Sequence, residues 1–196
     1  MKTILLGTTN KHKVSEIQTI FKNNGLDIDI TIPLDYGFTD EPIEDGHSFE
    51  ENAVIKAKFY YEHLHMPCLC EDSGICIEYF NNYPGIYSKR FMSNINDHDK
   101  NDYVLKLMNN VSNRKASFHD VACYIDDKGS EHIFEGINYG EIALKQEGDK
   151  GFGYDPIFYI PQYNKTEAQL GEDYKNEYSH RALAIKKFIN YVKEEN

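Results

Sequence analysis

Residues 4–13, Ile-Leu-Leu-Gly-Thr-Thr-Asn-Lys-His-Lys, decide how the fold begins. The apolar run predicts a buried strand over residues 2–7, and the small and amide residues after it predict a tight turn into a helix over residues 12–24. The first N–H groups of a helix have no partner within it, and the positive end of the helix dipole favours an anion. Lys11 and Lys13 add full positive charges to that end. This stretch therefore predicts a phosphate-binding pocket.

The chain as a whole is acidic, so a local cluster of positive charges points to a specific local function. The chain has 196 residues, and its 21 Lys and Arg against 32 Asp and Glu give a net charge of −11. This balance argues against a broad nucleic-acid or membrane-surface partner, whereas a small anion held by a few lysines and a metal fits it. The length predicts a single domain spanning residues 1–196. Because neither a secretory signal nor a run of about 18 apolar residues is evident, we expect a cytoplasmic protein.

Four cysteines, at positions 68, 70, 76 and 123, lie in or near apolar runs. Buried, reduced thiols are the favoured interpretation. The alternative is a metal cluster within His63–Cys70, but its spacing matches no standard zinc pattern.

Helix and strand patterns alternate along the rest of the chain. Ser48-Phe49-Glu50-Glu51 predicts a capping box that opens a helix. Strands are predicted over 67–71 and 76–80, and a helix over 100–111. A hairpin is predicted from 116–125 and 132–136, with its turn at 126–129. A glycine-bearing loop over 148–153 precedes the segment 154–160, and a last helix is predicted over 179–193. Crossover and hairpin connections together predict a mixed sheet in an α/β or α+β domain.

Two acidic clusters are candidates for a metal site. Glu44-Asp45-Gly46 precedes the capped helix, which carries Lys56, and Glu71-Asp72-Ser73-Gly74 ends a predicted strand. Mg²⁺ takes a few carboxylates and completes its shell with water and phosphate oxygens. The alternative is that Asp-Ser-Gly is turn chemistry and Glu44 a solvated loop charge.

A third candidate region lies near the end of the chain. Gly151–Pro156 combines glycines, which let a backbone approach a ligand, with aromatic residues that can stack on a base. Lys175 and Ser179-His180-Arg181 follow. An arginine in the first turn of a helix opposes the dipole, so ligand binding explains its place; the alternative is a solvated arginine and a capping histidine.

Several standard signatures are absent from the sequence. It contains no G-x-x-x-x-G-K-[ST], no G-x-G-x-x-G after the first strand and no G-x-S-x-G. P-loop NTPases, Rossmann dehydrogenases and α/β-hydrolase chemistry are therefore disfavoured.

Taken together and in order, these segments resemble the inosine triphosphate pyrophosphatase (Ham1-like) family. The matching motifs are Thr8, Asn10 and Lys13; Glu44; Ser48–Ala53; Lys56-Ala57; Asp72–Gly74; Pro84–Ser88; Phe152–Pro156; and Ser179–Arg181. The chain departs from the family at Thr9, where Gly is usual, and at Glu71, where Asp is frequent.

The resemblance implies an α/β fold with an elongated mixed sheet flanked by helices, and a nucleotide-binding cleft between two lobes. It implies a homodimer that hydrolyses ITP, dITP and XTP to the monophosphate and pyrophosphate. It also implies Mg²⁺ as cofactor, with Mn²⁺ as a substitute.

The resemblance assigns roles to individual residues. Glu44 and Asp72 would bind the metal, with Glu71 as a helper. Asp72, Lys13 and Lys56 would be catalytic, Asp72 either deprotonating the attacking water or only orienting it. Substrate binding is assigned to Thr8, Thr9, Asn10, Lys11, His12, Lys13, Lys56, Ser73, Lys89, Phe152, Gly153, Tyr154, Asp155, Lys175, His180 and Arg181.

Other functions are weighed against this one. A Maf-like pyrophosphatase for other nucleotides would lack the late purine-pocket motifs. A nucleotide sensor without turnover would not need Glu44 and Asp72, and a purely structural protein would not need lysines and an arginine at element ends. The sequence does not show how GTP would be excluded.

Overall fold

The computed structural model describes residues 3–195 of the chain. Its α-helices are α1 Lys11–Asn23, α2 Phe49–Leu64, α3 Asp97–Leu107, α4 Glu167–Leu170, α5 Glu172–Tyr178 and α6 His180–Glu195. Its strands are β1 Thr3–Leu6, β2 Asp29–Thr31, β3 Cys68–Ile77, β4 Tyr83–Pro84, β5 Lys115–Ile125, β6 Glu131–Ile142, β7 Phe158–Ile160 and β8 Lys165–Thr166. The predicted mixed α/β class is confirmed.

The eight strands in the described part of the chain form one mixed sheet. Hydrogen-bonded neighbours follow the order β2-β1-β3-β5-β6-β7-β8, with β4 paired to β3. The pairs β1–β2 and β1–β3 are parallel, whereas β3–β4, β6–β7 and β7–β8 are antiparallel. The parallel pairs are joined by crossovers through α1 and α2, as the alternation of helix and strand patterns predicts.

The chain divides into two compact units. The first unit combines the chain up to Asp72 with Asp120–Gly136 and the chain from Arg181 onward, and the second unit combines Ser73–His119 with Ile137–His180. The strands β3, β5 and β6 each contribute residues to both units. The predicted single domain and the implied cleft between lobes stay predictions.

In the first unit both faces of the sheet are buried, which explains why β1 reads as a continuous apolar run. Ile4 and Leu6 face a cluster built with α1 and α6 that includes Phe21 and Phe188. Leu5, on the opposite face, packs with residues of α2 such as Tyr60. Alternate side chains of a strand point to opposite faces, so a strand covered on both sides needs apolar residues throughout.

The second unit has its own core. Ile75 and Ile77 of β3 pack with Phe118 of β5 and with Tyr154 and Phe158. Phe118 and Phe158 make an edge-on contact with ring centroids 4.6 Å apart. This packing anchors the 151–155 loop through Tyr154 and the strand that follows it through Phe158.

Most of the predicted elements are confirmed with shifted ends. The strand predicted over residues 2–7 is Thr3–Leu6, Lys2 lying outside the described residues, and the helix predicted over 12–24 is Lys11–Asn23. The helix predicted over 100–111 begins earlier, at Asp97, because Asn96 caps it by accepting from the Asp99 N–H at 2.9 Å. The hairpin is confirmed, but its second strand runs to Ile142 rather than to Gly136.

The prediction of two separate strands, over 67–71 and 76–80, is wrong. Cys68–Ile77 forms one continuous strand. The reading of Asp72-Ser73-Gly74 as turn chemistry is therefore wrong. Gly74 serves close packing, since a Cβ there would lie 2.3 Å from the carbonyl oxygen of Gly85.

The capping box is only half formed. The Ser48 hydroxyl accepts from the Glu51 N–H at 3.0 Å, as predicted. The Glu51 carboxylate, however, accepts from the N–H of His47 at 2.7 Å rather than from that of Ser48. The helix still begins where the sequence places it, at Phe49.

The thiols follow the favoured interpretation. All four cysteines are free and buried. Within residues 3–195, no group of three or more His, Cys, Asp or Glu side chains is placed to hold a metal ion. The alternative of a metal cluster within His63–Cys70 therefore has no geometric support among these residues. Among the same residues, no helix has the length and apolar character needed to cross a membrane.

Candidate active site

The turn between β1 and α1 is built around the side chain of Asn10. Its carboxamide oxygen accepts from the N–H groups of His12, at 2.9 Å, and Lys13, at 3.4 Å. Two of the first-turn N–H groups that the sequence offered to an anion are thus used by the cap. The Thr8 hydroxyl accepts from the Asn10 N–H at 3.2 Å, and the Thr9 hydroxyl donates to Glu41 at 2.5 Å. Full lysine charges rather than bare amides therefore dominate this end of α1.

Lys13, the last residue of this stretch, is held by Glu71 on β3. Its Nζ lies 3.1 Å from Glu71 Oε1, and the lysine side chain is 16% exposed to solvent. On the other side of the same carboxylate, Arg181 donates from Nε to both oxygens at 2.9 Å. One buried carboxylate thus positions a lysine from α1 and an arginine from α6.

Two further carboxylates complete this cluster. Arg181 Nη1 lies 2.5 Å from Glu16, and Arg181 Nη2 lies 3.9 Å from Asp120. Burial alone would raise the pKa of Glu71, but Arg181 and Lys13 outweigh it and hold that pKa below its usual range. Burial also opposes the charge of Arg181, but Glu71 and Glu16 raise its pKa.

The pKa of Asp120 shifts in the opposite direction to that of Glu71. It is fully buried, and burial followed by the nearby Glu71 carboxylate raises its pKa well above the usual value. Within residues 3–195, no N–H or O–H group donates to either oxygen of Asp120. The upward shift of the Asp120 pKa and the downward shift of the Glu71 pKa both follow from the closeness of these two carboxyl groups beside Arg181.

A second ionic group in the first unit surrounds Lys56 of α2. Lys56 Nζ lies 3.0 Å from Glu44 Oε1 and 3.3 Å from Asp72 Oδ1. Burial alone would lower the pKa of Lys56, but the Asp72 and Glu44 carboxylates raise it above its usual value. An ammonium ion thus lies between the two acidic clusters that the sequence singled out.

The carboxylate of Asp72 is also fixed from its other side. Asn52 donates from Nδ2 to Asp72 Oδ2 at 3.0 Å, and Asn52 Oδ1 accepts from the Gly46 N–H at 2.9 Å. Asn52 is fully buried. In the sequence Asn52 stands out only as part of the Ser48–Ala53 motif, which assigns it no role.

These residues fit a magnesium ion bound by two carboxylates. Glu44 and Asp72 share one cation, Lys56, and Mg²⁺ takes one or two protein carboxylates when phosphates and water fill its other positions. Glu71 does not join them, since its oxygens are bound by Arg181 and Lys13. Neighbouring residues of a strand point to opposite faces, which separates Glu71 from Asp72.

The second unit brings together three of the late candidates. Lys175 Nζ lies 2.7 Å from Asp155 Oδ2, and both side chains are buried. The same oxygen of Asp155 accepts from the Phe152 N–H at 2.9 Å. Lys175 Nζ also lies 4.5 Å from the centre of the Phe152 ring, in a cation–π contact. Asp155 therefore fixes both the 151–155 loop and the lysine beside it.

The remaining candidates of the second unit are distributed around this group. His180 is buried and stacks on Phe118 with ring centroids 4.6 Å apart. Tyr154 is buried and donates from its hydroxyl to the carbonyl of Ser88 at 3.2 Å, which ties this loop to the end of the Pro84–Ser88 segment. Ser73 is half-buried on β3, and Lys89 is exposed after the short helix Gly85–Tyr87.

The whole chain is similar to known proteins. The model of the Ham1 family matches residues 4–191. A dITP/XTP pyrophosphatase of Clostridium perfringens is 38% identical over 203 residues, covering 98% of this chain and 98% of that protein. A dITP/XTP pyrophosphatase of Aquifex aeolicus is 39% identical over 201 residues, covering 97% of this chain and 96% of that protein.

Solved structures agree with these sequence relatives. A HAM1 protein from Coxiella burnetii superposes with a TM-score of 0.89 at 34% identity, covering 99% of this chain and 100% of that one. The Ham1 protein of Staphylococcus aureus gives a TM-score of 0.88 at 31% identity, covering 100% of both chains.

Proposed function

The chain belongs to the Ham1 family, and from this premise we propose that it hydrolyses non-standard purine nucleoside triphosphates, namely ITP, dITP and XTP. The products are the nucleoside monophosphate and pyrophosphate, so the enzyme removes deaminated purines before they enter DNA or RNA. The observation that carries the proposal is the Lys56 ammonium between Glu44 and Asp72. It occurs in a chain that matches dITP/XTP pyrophosphatases over nearly its full length.

The first unit supplies the groups for the triphosphate. Lys13 and Lys56 carry the positive charge, and each is held in place by a carboxylate. Phosphoryl transfer depends chiefly on positioning and charge neutralisation, so two pre-positioned ammonium groups suit it. The residues around the β1–α1 turn, from Thr8 to His12, complete the phosphate site.

Glu44 and Asp72 hold the divalent metal in this proposal, with Mg²⁺ as the natural ion and Mn²⁺ as a substitute. When bound, the metal neutralises phosphate charge and makes bound water more acidic. Asp72 receives or orients the proton of the attacking water, with Asn52 keeping its carboxylate in one orientation. Glu71 acts instead on Lys13 and Arg181, and its predicted part as a metal helper has no geometric support in this arrangement.

The second unit supplies the groups for the base. Phe152 stacks on the purine, and Lys175 with the backbone of Tyr154 and Asp155 faces its edge. Hypoxanthine and xanthine present an oxygen acceptor at the 6-position where adenine presents an amino donor, and a site of donors discriminates strongly between them. His180 contributes to the same edge. The direct contact of Arg181 with the base stays a prediction, because its guanidinium binds Glu71 and Glu16 in the first unit.

The test is the release of pyrophosphate and phosphate from ITP, XTP, GTP and ATP with Mg²⁺. We expect pyrophosphate from ITP and XTP, little from ATP or GTP, and loss of turnover in Asp72→Asn. Asp127→Asn, in the exposed hairpin turn, is the matched control and should keep full turnover. Tight binding without turnover would instead identify a sensor, and turnover of other modified nucleotides alone would identify a Maf-like enzyme.

Two implications of the resemblance remain to be tested in solution. The homodimer can be checked by sedimentation equilibrium, and the cytoplasmic location by cell fractionation.

A further inference from the structure

Asn52 connects three parts of the proposed metal site. It lies in the first turn of α2, its Nδ2 donates to Asp72 of β3 at 3.0 Å, and its Oδ1 accepts from the N–H of Gly46, two residues after Glu44. A single buried amide therefore ties the loop that carries Glu44 to the strand that carries Asp72.

Both ends of this amide already have a protein partner, which favours a positioning role over a role as a metal ligand. An amide oxygen can coordinate a hard cation, but that of Asn52 is bound to the Gly46 N–H. The amide nitrogen is a donor only and has no lone pair to offer a cation. In this arrangement Asn52 acts on the metal site through Asp72 and through the loop that carries Glu44.

The loop also approaches α2 closely at this point. A Cβ on Gly46 would lie 2.8 Å from Asn52 Oδ1 and 2.8 Å from the Cβ of Glu51. Glycine at position 46 thus permits the backbone contact that the Asn52 oxygen completes. The loop position that carries Glu44 depends on this contact.

The hydrogen bond to Asp72 also fixes which oxygen faces the cation. Oδ2 accepts from Asn52, and Oδ1 faces Lys56 Nζ, which Glu44 shares. Without the amide, rotation of the Asp72 carboxyl would change its separation from Glu44. Partners that orient metal ligands are worth about 10- to 100-fold in metal affinity.

We propose that Asn52 is the positioning residue of the metal site, which presets the spacing and orientation of Glu44 and Asp72 for a divalent cation. This inference rests on the proposed function, since it takes Glu44 and Asp72 as the ligands.

The experiment measures Mn²⁺ binding by electron paramagnetic resonance without nucleotide, on the full chain. The variants are Asn52→Ala, Asn52→Ser and Asp72→Asn. Asn138→Ala is the matched control, because Asn138 is also a buried amide bound to a carboxylate, donating to Glu167 at 2.7 Å in the second unit. Melting curves establish which variants are folded, and Asn52→Ser keeps a small hydroxyl should the alanine variant not fold.

The expected result is an increase of about 10- to 100-fold in the half-saturating Mn²⁺ concentration for the Asn52 variants. Asn138→Ala should bind Mn²⁺ like the wild type. With ITP, the Asn52 variants should show a lowered kcat that partly recovers as Mn²⁺ is raised, with little change in KM for ITP. A loss of stability alone would not give recovery by metal.

Two results would overturn the inference, and they differ. Wild-type Mn²⁺ affinity in a folded Asn52 variant, while Asp72→Asn abolishes binding, rejects the role of Asn52 and leaves the proposed function intact. Mn²⁺ binding that does not depend on Asp72 rejects the metal assignment and this inference with it.

Discussion

Arg181 donates from Nε to both carboxylate oxygens of Glu71 at 2.9 Å, and both side chains are buried. The pairing places a permanent charge, from a guanidinium that is not deprotonated in proteins, beside a carboxylate that also holds Lys13. The same guanidinium also donates from Nη1 to Glu16, so its separate nitrogens serve two carboxylates at once. An arginine in the first turn of a helix is unfavourable because it opposes the helix dipole. Here the carboxylates around Arg181 stabilise its charge and account for its position.

The first prediction concerns Arg181→Ala. Removing one partner of a buried ion pair leaves the other charge unpaired, so we expect the free energy of unfolding to fall by about 3–5 kcal/mol. Urea denaturation measures it. Lys58→Ala is the control, because the exposed Lys58–Glu131 pair should contribute about 1 kcal/mol or less. A stable Arg181→Ala protein with a weaker preference for ITP over ATP would instead support direct contact with the base.

The second prediction concerns Lys56→Met. The Lys56 ammonium lies between Glu44 and Asp72, where these carboxylates would also attract a metal cation. Removing this positive charge should therefore tighten Mn²⁺ binding in the absence of nucleotide by about three- to tenfold. The KM for ITP should rise, because the lysine is then missing from the triphosphate. Weaker Mn²⁺ binding in a folded Lys56→Met protein would contradict the competition between lysine and metal.

The third prediction concerns Phe152→Ala. Stacking of a base on an aromatic ring contributes about 1–3 kcal/mol, so KM for ITP and XTP should rise about tenfold or more. Steady-state kinetics check this, and kcat should change less. Tyr139→Ala removes another aromatic side chain, 73% exposed, and should leave KM unchanged. An unchanged KM in Phe152→Ala would remove this ring from the base site.

The fourth prediction concerns thiol reactivity. Burial raises the pKa of Cys76 to about 11, so only about one molecule in a thousand carries the reactive thiolate at pH 8. Cys123, with its pKa raised by burial to about 12, should react more slowly still. Alkylation of the native protein should accelerate about tenfold per pH unit up to pH 11, and denaturant should expose all four thiols. Rapid labelling of the native protein at pH 8 would contradict this.

Local patterns predicted the parts of the fold that local physics controls. The apolar run before Gly7, the Ser48 cap and the spacing of apolar residues in α1 and α2 each placed an element within a residue or two. The break predicted near Asp72-Ser73-Gly74 was wrong because glycine and serine suggest a turn, whereas here Gly74 permits contact with Gly85. That contact depends on residues further along the chain, which no local pattern contains.

The candidate site, too, was predicted only as far as local sequence patterns reach. The residue types that carry charge were identified from the sequence, but their partners were not. Glu71 reads as a neighbour of Asp72 and was grouped with it, although the strand directs it toward Lys13 and Arg181. Asp120 gave no signal at all, because a lone aspartate in an apolar strand acquires its meaning only from the carboxylate beside it.

The position of Arg181 also matters for how the protein is made. It meets Glu71 across 110 residues of sequence and Glu16 across 165. Contacts this distant in sequence form slowly, and during translation they cannot form before α6 has left the ribosome. Until then Glu16 and Glu71 lack the guanidinium that they share. A nascent chain therefore completes this ionic cluster only near the end of its own synthesis, and a ribosome stalled before residue 181 would present Glu71 with Lys13 but without its arginine.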